Sequence, residues 1–237
     1  MNVLGVIPAR WASSRYPGKP LARIDGFPMV YHVYEAARKA RLVNDIVVAT
    51  DDDRVVEVCH MLKMHVLKTT EAATGTDRMA LVAKESPADI YVNIQGDEPT
   101  LKSLDIHAVI KPLTDGLKPF NIAALCTPII HGRDIDDQNV VKVVRRPDGA
   151  LLYLSRLPIA QGGATMYYKQ VGVYAMTSRM LESFTRLPRG RIEKLESIEL
   201  MRCLEHGVPV YMAESKTDTV AVDTPSDLLR VKRLMEV

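Results

Sequence analysis

The chain has 237 residues, 47% of them hydrophobic and 25% charged, with a formal net charge of +2. That length and balance fit one large globular domain that buries enough surface to fold without a disulfide or structural metal. The near-neutral charge argues against a nucleic-acid partner or a basic membrane patch, and no apolar run approaches the ~20 residues that span a bilayer.

Cys59, Cys126 and Cys203 lie far apart without ligand or redox spacing, which predicts reduced thiols. The opening NVLGVI is too short for a signal segment, so the expected compartment is the cytoplasm. In chain order, Val3–Ile7 reads as a buried strand and Pro28 to about Arg41 as a helix with cations in its last turn. Asp45–Thr50, His65–Lys68 and Asp89–Ile94 read as strands, separated by helices over Asp52–Leu62 and Asp77–Glu85. Such alternation predicts βαβ units, a mostly parallel sheet and helices on both faces.

The second half is less regular. Asn121–Pro128, Asn139–Arg145, Ala150–Leu154 and Gln170–Met176 have strand character, and residues 120–190 read as an irregular inserted lobe. Glu193–Glu205 is predicted as one amphipathic helix closed by His206-Gly207. Val208–Met212 follows as a strand, then a helix over Pro225–Leu234 with Thr224 as its N-cap.

The loop after the first strand, PARWASSRYPGKPL, concentrates Arg10, Arg15 and Lys19 among Ser13, Ser14 and Gly18. Ligands of open parallel sheets bind beyond the carboxyl ends of the strands, so a cradle for anionic oxygens fits here, as does a solvated basic loop. Neither a Walker A loop nor a GxGxxG fingerprint is present. NIQGDEP ends another strand with Asp97, and AVDTPSD places Asp223 before a Pro-started helix. Two carboxylates from separate segments suit Mg²⁺ shared with phosphate oxygens; a turn aspartate and a helix-capping aspartate suit the same residues.

Taken together, these motifs resemble those of the CMP-Kdo synthetases (3-deoxy-manno-octulosonate cytidylyltransferases), a family of sugar-acid cytidylyltransferases. The loop matches P-A-R-x-x-S-[ST]-R-x-P-G-K-P-L through Pro8, Ala9, Arg10, Ser13, Ser14, Arg15, Pro17, Gly18, Lys19, Pro20 and Leu21. The resemblance implies a nucleotide-diphospho-sugar transferase-like α/β fold in a single domain, with an acceptor-binding and dimerisation lobe at 120–190. It implies CTP as co-substrate on Ala9, Arg10, Ser13, Ser14 and Lys19, and Mg²⁺ on Asp97 and Asp223. ATGTDR, matching S-G-[ST]-[DE]-R with Thr74 for Ser, implies Thr74, Gly75 and Arg78 on the cytidine, with Gln95 beside nucleotide or sugar.

For the acceptor, LYLSRLPIA resembles [YF]-x-S-R-x-x-I-P and offers Arg156, with Arg15, as a carboxylate partner. Gln170 and Tyr174 fall in a [HQ]-x-G-[IV]-Y motif, and Glu196 and Glu199 in L-E-x-x-E-x-L-E-Q-L-R-x-L-E-x-G. Gln170 stands where the family mostly has His, and Leu200 where it has Gln. The implied reaction transfers CMP from CTP to the anomeric hydroxyl of a 3-deoxy-2-ulosonic acid, with Arg10, Lys19, Asp97 and Asp223 as the catalytic set and a homodimer as the assembly. The alternatives are another acceptor (amino-Kdo, a nonulosonic acid or a phosphonate) and a CTP-binding paralogue without turnover.

Overall fold

In a computed structural model, residues 1–12, 16–160, 167–215 and 217–235 are described. The first half runs β1 (Val3–Pro8), a 3₁₀ turn (Lys19–Leu21), a small hairpin β2 (Arg23–Ile24) and β3 (Phe27–Pro28), α1 (Met29–Arg38), β4 (Asp45–Thr50), α2 (Asp53–Met61), β5 (Val66–Lys68), α3 (Gly75–Glu85), β6 (Ile90–Ile94) and α4 (Ser103–Thr114). The second half runs β7 (Ile122–Pro128), α5 (Arg133–Asp136), β8 (Lys142–Arg145), β9 (Leu151–Ser155), β10 (Tyr168–Thr177), α6 (Ser178–Arg186), α7 (Arg191–Glu196), α8 (Met201–Glu205), β11 (Tyr211–Glu214) and α9 (Pro225–Met235).

The main sheet has the order β11-β7-β10-β6-β1-β4-β5, with the β8–β9 hairpin attached to β10. β1 pairs parallel with β4 and β6, β4 with β5, and β7 with β11, while β10 is antiparallel to both neighbours β6 and β7. Both faces are covered, as the unbroken apolar strands require. Val3 and Ile7 of β1 face a core with α1, α2 and α4; Leu4 and Val6 face one with α3, α6 and α8. Within 120–190, β7 and β10 are inner strands of this sheet, and β8–β9 extends from them.

Some boundaries differ from those expected. α4 is an unanticipated helix with Pro112 in its last turn. Its buried Asp105 caps the start by accepting from Lys102 N at 2.9 Å. α6 was also unforeseen; it begins at the Thr177 cap and buries Met180, Leu181 and Phe184. The single helix expected over Glu193–Glu205 is split into α7 and α8, because Ser197 adopts a left-handed φ of 53°. The final strand lies at Tyr211–Glu214 rather than Val208–Met212, since Leu151 N takes Val210 O and the ladder to β7 starts at Tyr211.

The topology fixes where a ligand crevice lies. The chain moves outward from β1 through β4 to β5, then returns to the other side of β1 as β6. Connections therefore diverge at the carboxyl ends of β1 and β6, the switch point where open α/β sheets bind ligands.

Candidate active site

A cleft of about 470 Å³ opens at that switch point. Its floor is the junction of β1 and β6. A Cβ on Gly96 would stand 2.9 Å from Pro8 O, so only glycine lets the two strand ends come this close. On the β1 side, Gly18 N donates to Trp11 O at 3.0 Å and closes the loop; Gly18 has φ +72° under the Trp11 indole, which Arg54 covers at 3.5 Å. The 3₁₀ turn that follows directs Lys19 inward.

Lys19 Nζ donates to Asp97 Oδ2 at 2.6 Å and to Asp223 Oδ1 at 3.3 Å. Two carboxylates from distant segments thus converge on one ammonium. Burial pulls the Lys19 pKa down, but the two carboxylates, Asp97 foremost, more than offset this and hold it above its ordinary value. The segment carrying Asp223 is tied directly to the loop carrying Asp97: Val222 N donates to Asp97 O at 2.8 Å, and Val220 N to Thr100 Oγ1 at 2.9 Å. Behind it, Val220, Val222, Leu228 and Val231 pack on Ile24 and Met29. Asp227 accepts from Asp223 N and Thr224 N, fixing the turn into α9.

The opposite wall is the start of α3. Thr74 caps it, accepting from Asp77 N at 3.1 Å. Gly75 leaves little room: a Cβ there would lie 3.1 Å from the Asn93 amide nitrogen, and that amide's buried nitrogen and oxygen have no partner among the described residues. Arg78 lines the cleft but is 2% exposed, with Nη2 on Asp51 at 2.7 Å and Nη1 on Thr69 Oγ1 at 2.6 Å. Glu199 reaches across to this helix start, accepting from Gly75 N and Thr76 N at 3.1 Å each, from Thr76 Oγ1, and from the Tyr174 hydroxyl at 3.3 Å. A carboxylate there satisfies N–H groups that have no intrahelical partner and complements the helix dipole.

Most of the expected site residues meet. Arg10, Lys19, Thr74, Gly75, Arg78, Gln95, Asp97, Arg156, Gln170, Tyr174, Glu199 and Asp223 all line the cleft. Ala9 does not: it is buried in the core and its N–H is taken by Ala49 O. Glu196 also stands back from the cleft, accepting from Arg156 N at 2.9 Å and Ser155 Oγ at 3.4 Å. The Arg156 guanidinium, expected on a substrate carboxylate, is instead spent on the carbonyls of Glu196 (2.7 Å), Gln138 (2.8 Å) and Ser197 (3.4 Å). It fastens the β9 end to the α7–α8 break. Tyr174 and Glu199 likewise engage each other and Thr76 rather than presenting free groups. Ser13, Ser14 and Arg15 lie outside the described residues.

Glu98 was not anticipated. It accepts from Gly172 N at 2.8 Å, while its other oxygen is buried with no partner among the described residues. Burial, then the neighbouring Asp97 charge, pushes its pKa up to about 8. Its place directly after Asp97 in QGDEP was the available signal. Arg189 also lines the cleft, from a Pro-Arg-Gly turn that carries no pattern by itself. The three cysteines are buried thiols; burial raises Cys59 to about 11 and Cys126 and Cys203 to about 12, which leaves no thiolate nucleophile among them.

The cytidylyltransferase family model matches residues 4–216. The chain belongs to this family. It is 42% identical over 240 aligned positions to the 3-deoxy-manno-octulosonate cytidylyltransferase of Anaeromyxobacter dehalogenans (strain 2CP-C), covering 99% of this chain and 98% of the relative. It is 40% identical over 244 positions to the 8-amino-3,8-dideoxy-manno-octulosonate cytidylyltransferase of Shewanella sp. (strain ANA-3), covering all of both. Among solved structures, CMP:2-keto-3-deoxy-manno-octonic acid synthetase complexed with CTP superposes with a TM-score of 0.91 at 36% identity, over 100% of this chain and 99% of that one. A glucose-1-phosphate thymidylyltransferase of Bacillus anthracis (TM-score 0.70, 18% identity, 98% of this chain and 94% of that one) shares the fold. No helix among the described residues is long and apolar enough to cross a membrane.

Proposed function

We propose that this cytidylyltransferase transfers CMP from CTP to the anomeric hydroxyl of a 3-deoxy-2-ulosonic acid, Kdo or a close analogue, and releases pyrophosphate. The observation that carries this is the meeting of Asp97, Asp223 and Lys19 at the β1/β6 switch point. The anomeric hydroxyl attacks the α-phosphorus in line and gives up its proton to solvent, while the bond from that phosphorus to the oxygen bridging to the β-phosphate breaks and pyrophosphate leaves. Arg10, whose guanidinium meets no acceptor among the described residues, and Lys19 are placed to take up charge moving onto the leaving pyrophosphate. On this reading Thr74, Gly75 and Arg78, which line the cleft with Gln95 and Gln170, hold the nucleoside, and Gln95 and Gln170 serve the sugar side.

The donor set suits Mg²⁺. Two carboxylates already hold a cation between them, and no cluster of three or more His, Cys, Asp or Glu suited to a metal occurs among the described residues. Such a site leaves coordination positions to phosphate oxygens and water, as Mg²⁺ prefers. Bound to Asp97 and Asp223, Mg²⁺ would make the attacking hydroxyl more acidic and draw charge from the α-phosphate. Catalysis by this chain is then positioning and electrostatics, without a covalent intermediate. A cytoplasmic homodimer with acceptor and subunit contacts in residues 120–190 completes the reading.

The second reading is an amino-substituted acceptor. Leu200 and Gln170 both line the cleft where the resemblance expects Gln and His, and one of the similar relatives acts on the 8-amino sugar. Pyrophosphate release with CTP and Mg²⁺, measured in parallel for Kdo and its 8-amino analogue, separates the two. Release with neither acceptor overturns the proposal.

A further inference from the structure

Among the described residues, five cationic side chains line the cleft. Three are committed: Lys19 to Asp97 and Asp223, Arg78 to Asp51 and Thr69, and Arg156 to three backbone carbonyls. Arg10 lies at the end of β1, beside the phosphate-handling group. The remaining one, Arg189, sits on the wall built by α7 and α8. Its Nε donates to Glu193 Oε1 at 3.0 Å, while its two terminal nitrogens meet no acceptor among the described residues.

The anchor beneath Arg189 is already neutralised. The Glu193 side chain is 1% exposed and is gripped by Arg202 through Nε at 2.8 Å and Nη2 at 2.7 Å. Arg189 thus shares the Glu193 carboxylate with Arg202 rather than closing a pair of its own. Its backbone is pinned on both sides. The His206 ring donates to Pro188 O at 3.0 Å, and Glu205 accepts from Ile192 N and Glu193 N. Glu205 also lies so close to Gly190 that any Cβ there would overlap the carboxylate. A guanidinium held by Nε on a pinned turn that lines the cleft, with both terminal N–H₂ groups unpaired among the described residues, can take a carboxylate by planar two-point recognition. The other polar groups of that wall are engaged: Glu199 on the α3 start, and Ser197 O by Arg156.

We infer that Arg189 is a specificity-determining residue that receives the carboxylate of the acceptor, an inference that rests on the sugar-acid reading of the cleft. It takes the part that the resemblance gives to Arg156 beside Arg15, which lies outside the described residues. The test is steady-state pyrophosphate release by the full chain with CTP, Mg²⁺ and Kdo, for the wild type, Arg189→Gln and Arg189→Lys. Arg189→Gln raises the acceptor KM at least about tenfold, as loss of a charge-assisted pair predicts. The CTP KM stays within twofold, and Arg189→Lys recovers part of the loss. The methyl ester of the acceptor, poor with the wild type, is discriminated several-fold less by Arg189→Gln. Thermal unfolding of each variant stays within about 2 °C of wild type, because Arg202 still neutralises Glu193. An acceptor KM within twofold of wild type in Arg189→Gln overturns the inference and leaves the parent reading standing. A wild type that releases no pyrophosphate with any 2-ulosonate overturns both.

Discussion

Glu199→Gln separates an architectural role for this carboxylate from a direct one at the acceptor. The native side chain accepts from two backbone N–H groups at the start of α3 and from the hydroxyls of Thr76 and Tyr174. All four partners are donors. A glutamine keeps the shape but turns one acceptor oxygen into an N–H₂ group that faces them, and it removes the negative charge from the positive end of the helix. Hydrogen bonds to a charged group are worth about 1.5–3 kcal/mol and charge at a helix start about 0.3–1 kcal/mol. With the site only partly buried, the expected loss is about 2–4 kcal/mol. For a domain of this size that lowers Tm by about 5–15 °C. Because Thr74 and Gly75 open the same helix and line the cleft where the nucleoside is proposed to bind, the CTP KM is expected to rise in the same variant. Scanning calorimetry and CTP titration of pyrophosphate release make the measurement. A variant with native Tm and CTP KM but a raised acceptor KM would refute the positioning argument and return Glu199 to the sugar.

Further outcomes follow from the same geometry. Asp97→Asn and Asp223→Asn each lower turnover at least about 100-fold with an unchanged circular dichroism spectrum, since each removes one of two charges at the reacting phosphate; full Mg²⁺-dependent turnover in either removes that residue from the mechanism. Lys19→Ala leaves two carboxylates facing one another without their ammonium, so the CTP KM rises and kcat falls while the acceptor KM moves little; an unchanged CTP KM and kcat contradict the role. Folding raises the Glu98 pKa from an ordinary 4.5 to about 8. The stability this group contributes is therefore intact below pH 4.5 and is lost as pH rises through about 8, by an amount on the order of a few kcal/mol. Urea midpoints measured without Mg²⁺ fall over that interval in the wild type and fall less in Glu98→Gln; parallel curves would show that Glu98 is ionised throughout.

The part of the architecture that was legible beforehand is the part with simple periodicity. The apolar runs of β1, β4 and β6 and the helices between them announce a parallel sheet, and the parallel sheet dictates where the crevice opens. α4 escaped because Pro112 interrupts its pattern, although the proline falls in the last turn, where the helix tolerates it. The α7–α8 break was invisible because Ser197 has no glycine-like signature; its left-handed backbone is imposed by tertiary contacts, with Arg156 held across it. The same limit applies to the site. Lys19, Asp97 and Asp223 could be proposed from motifs, but motifs do not say which cations are already occupied. That the Arg156 guanidinium is engaged emerges only once the carbonyls of Glu196, Gln138 and Ser197 are seen around it.

The bond from Val222 N to Asp97 O has a temporal side. Asp223 enters the polypeptide 204 positions after Lys19, so a nascent chain can lay down its entire central sheet and still lack one jaw of the cation site. If Asp97 and Asp223 act together as proposed, activity requires the strip from Val220 to Asp223 to dock against the QGDEP turn and α9 to settle on the β2–β3 hairpin.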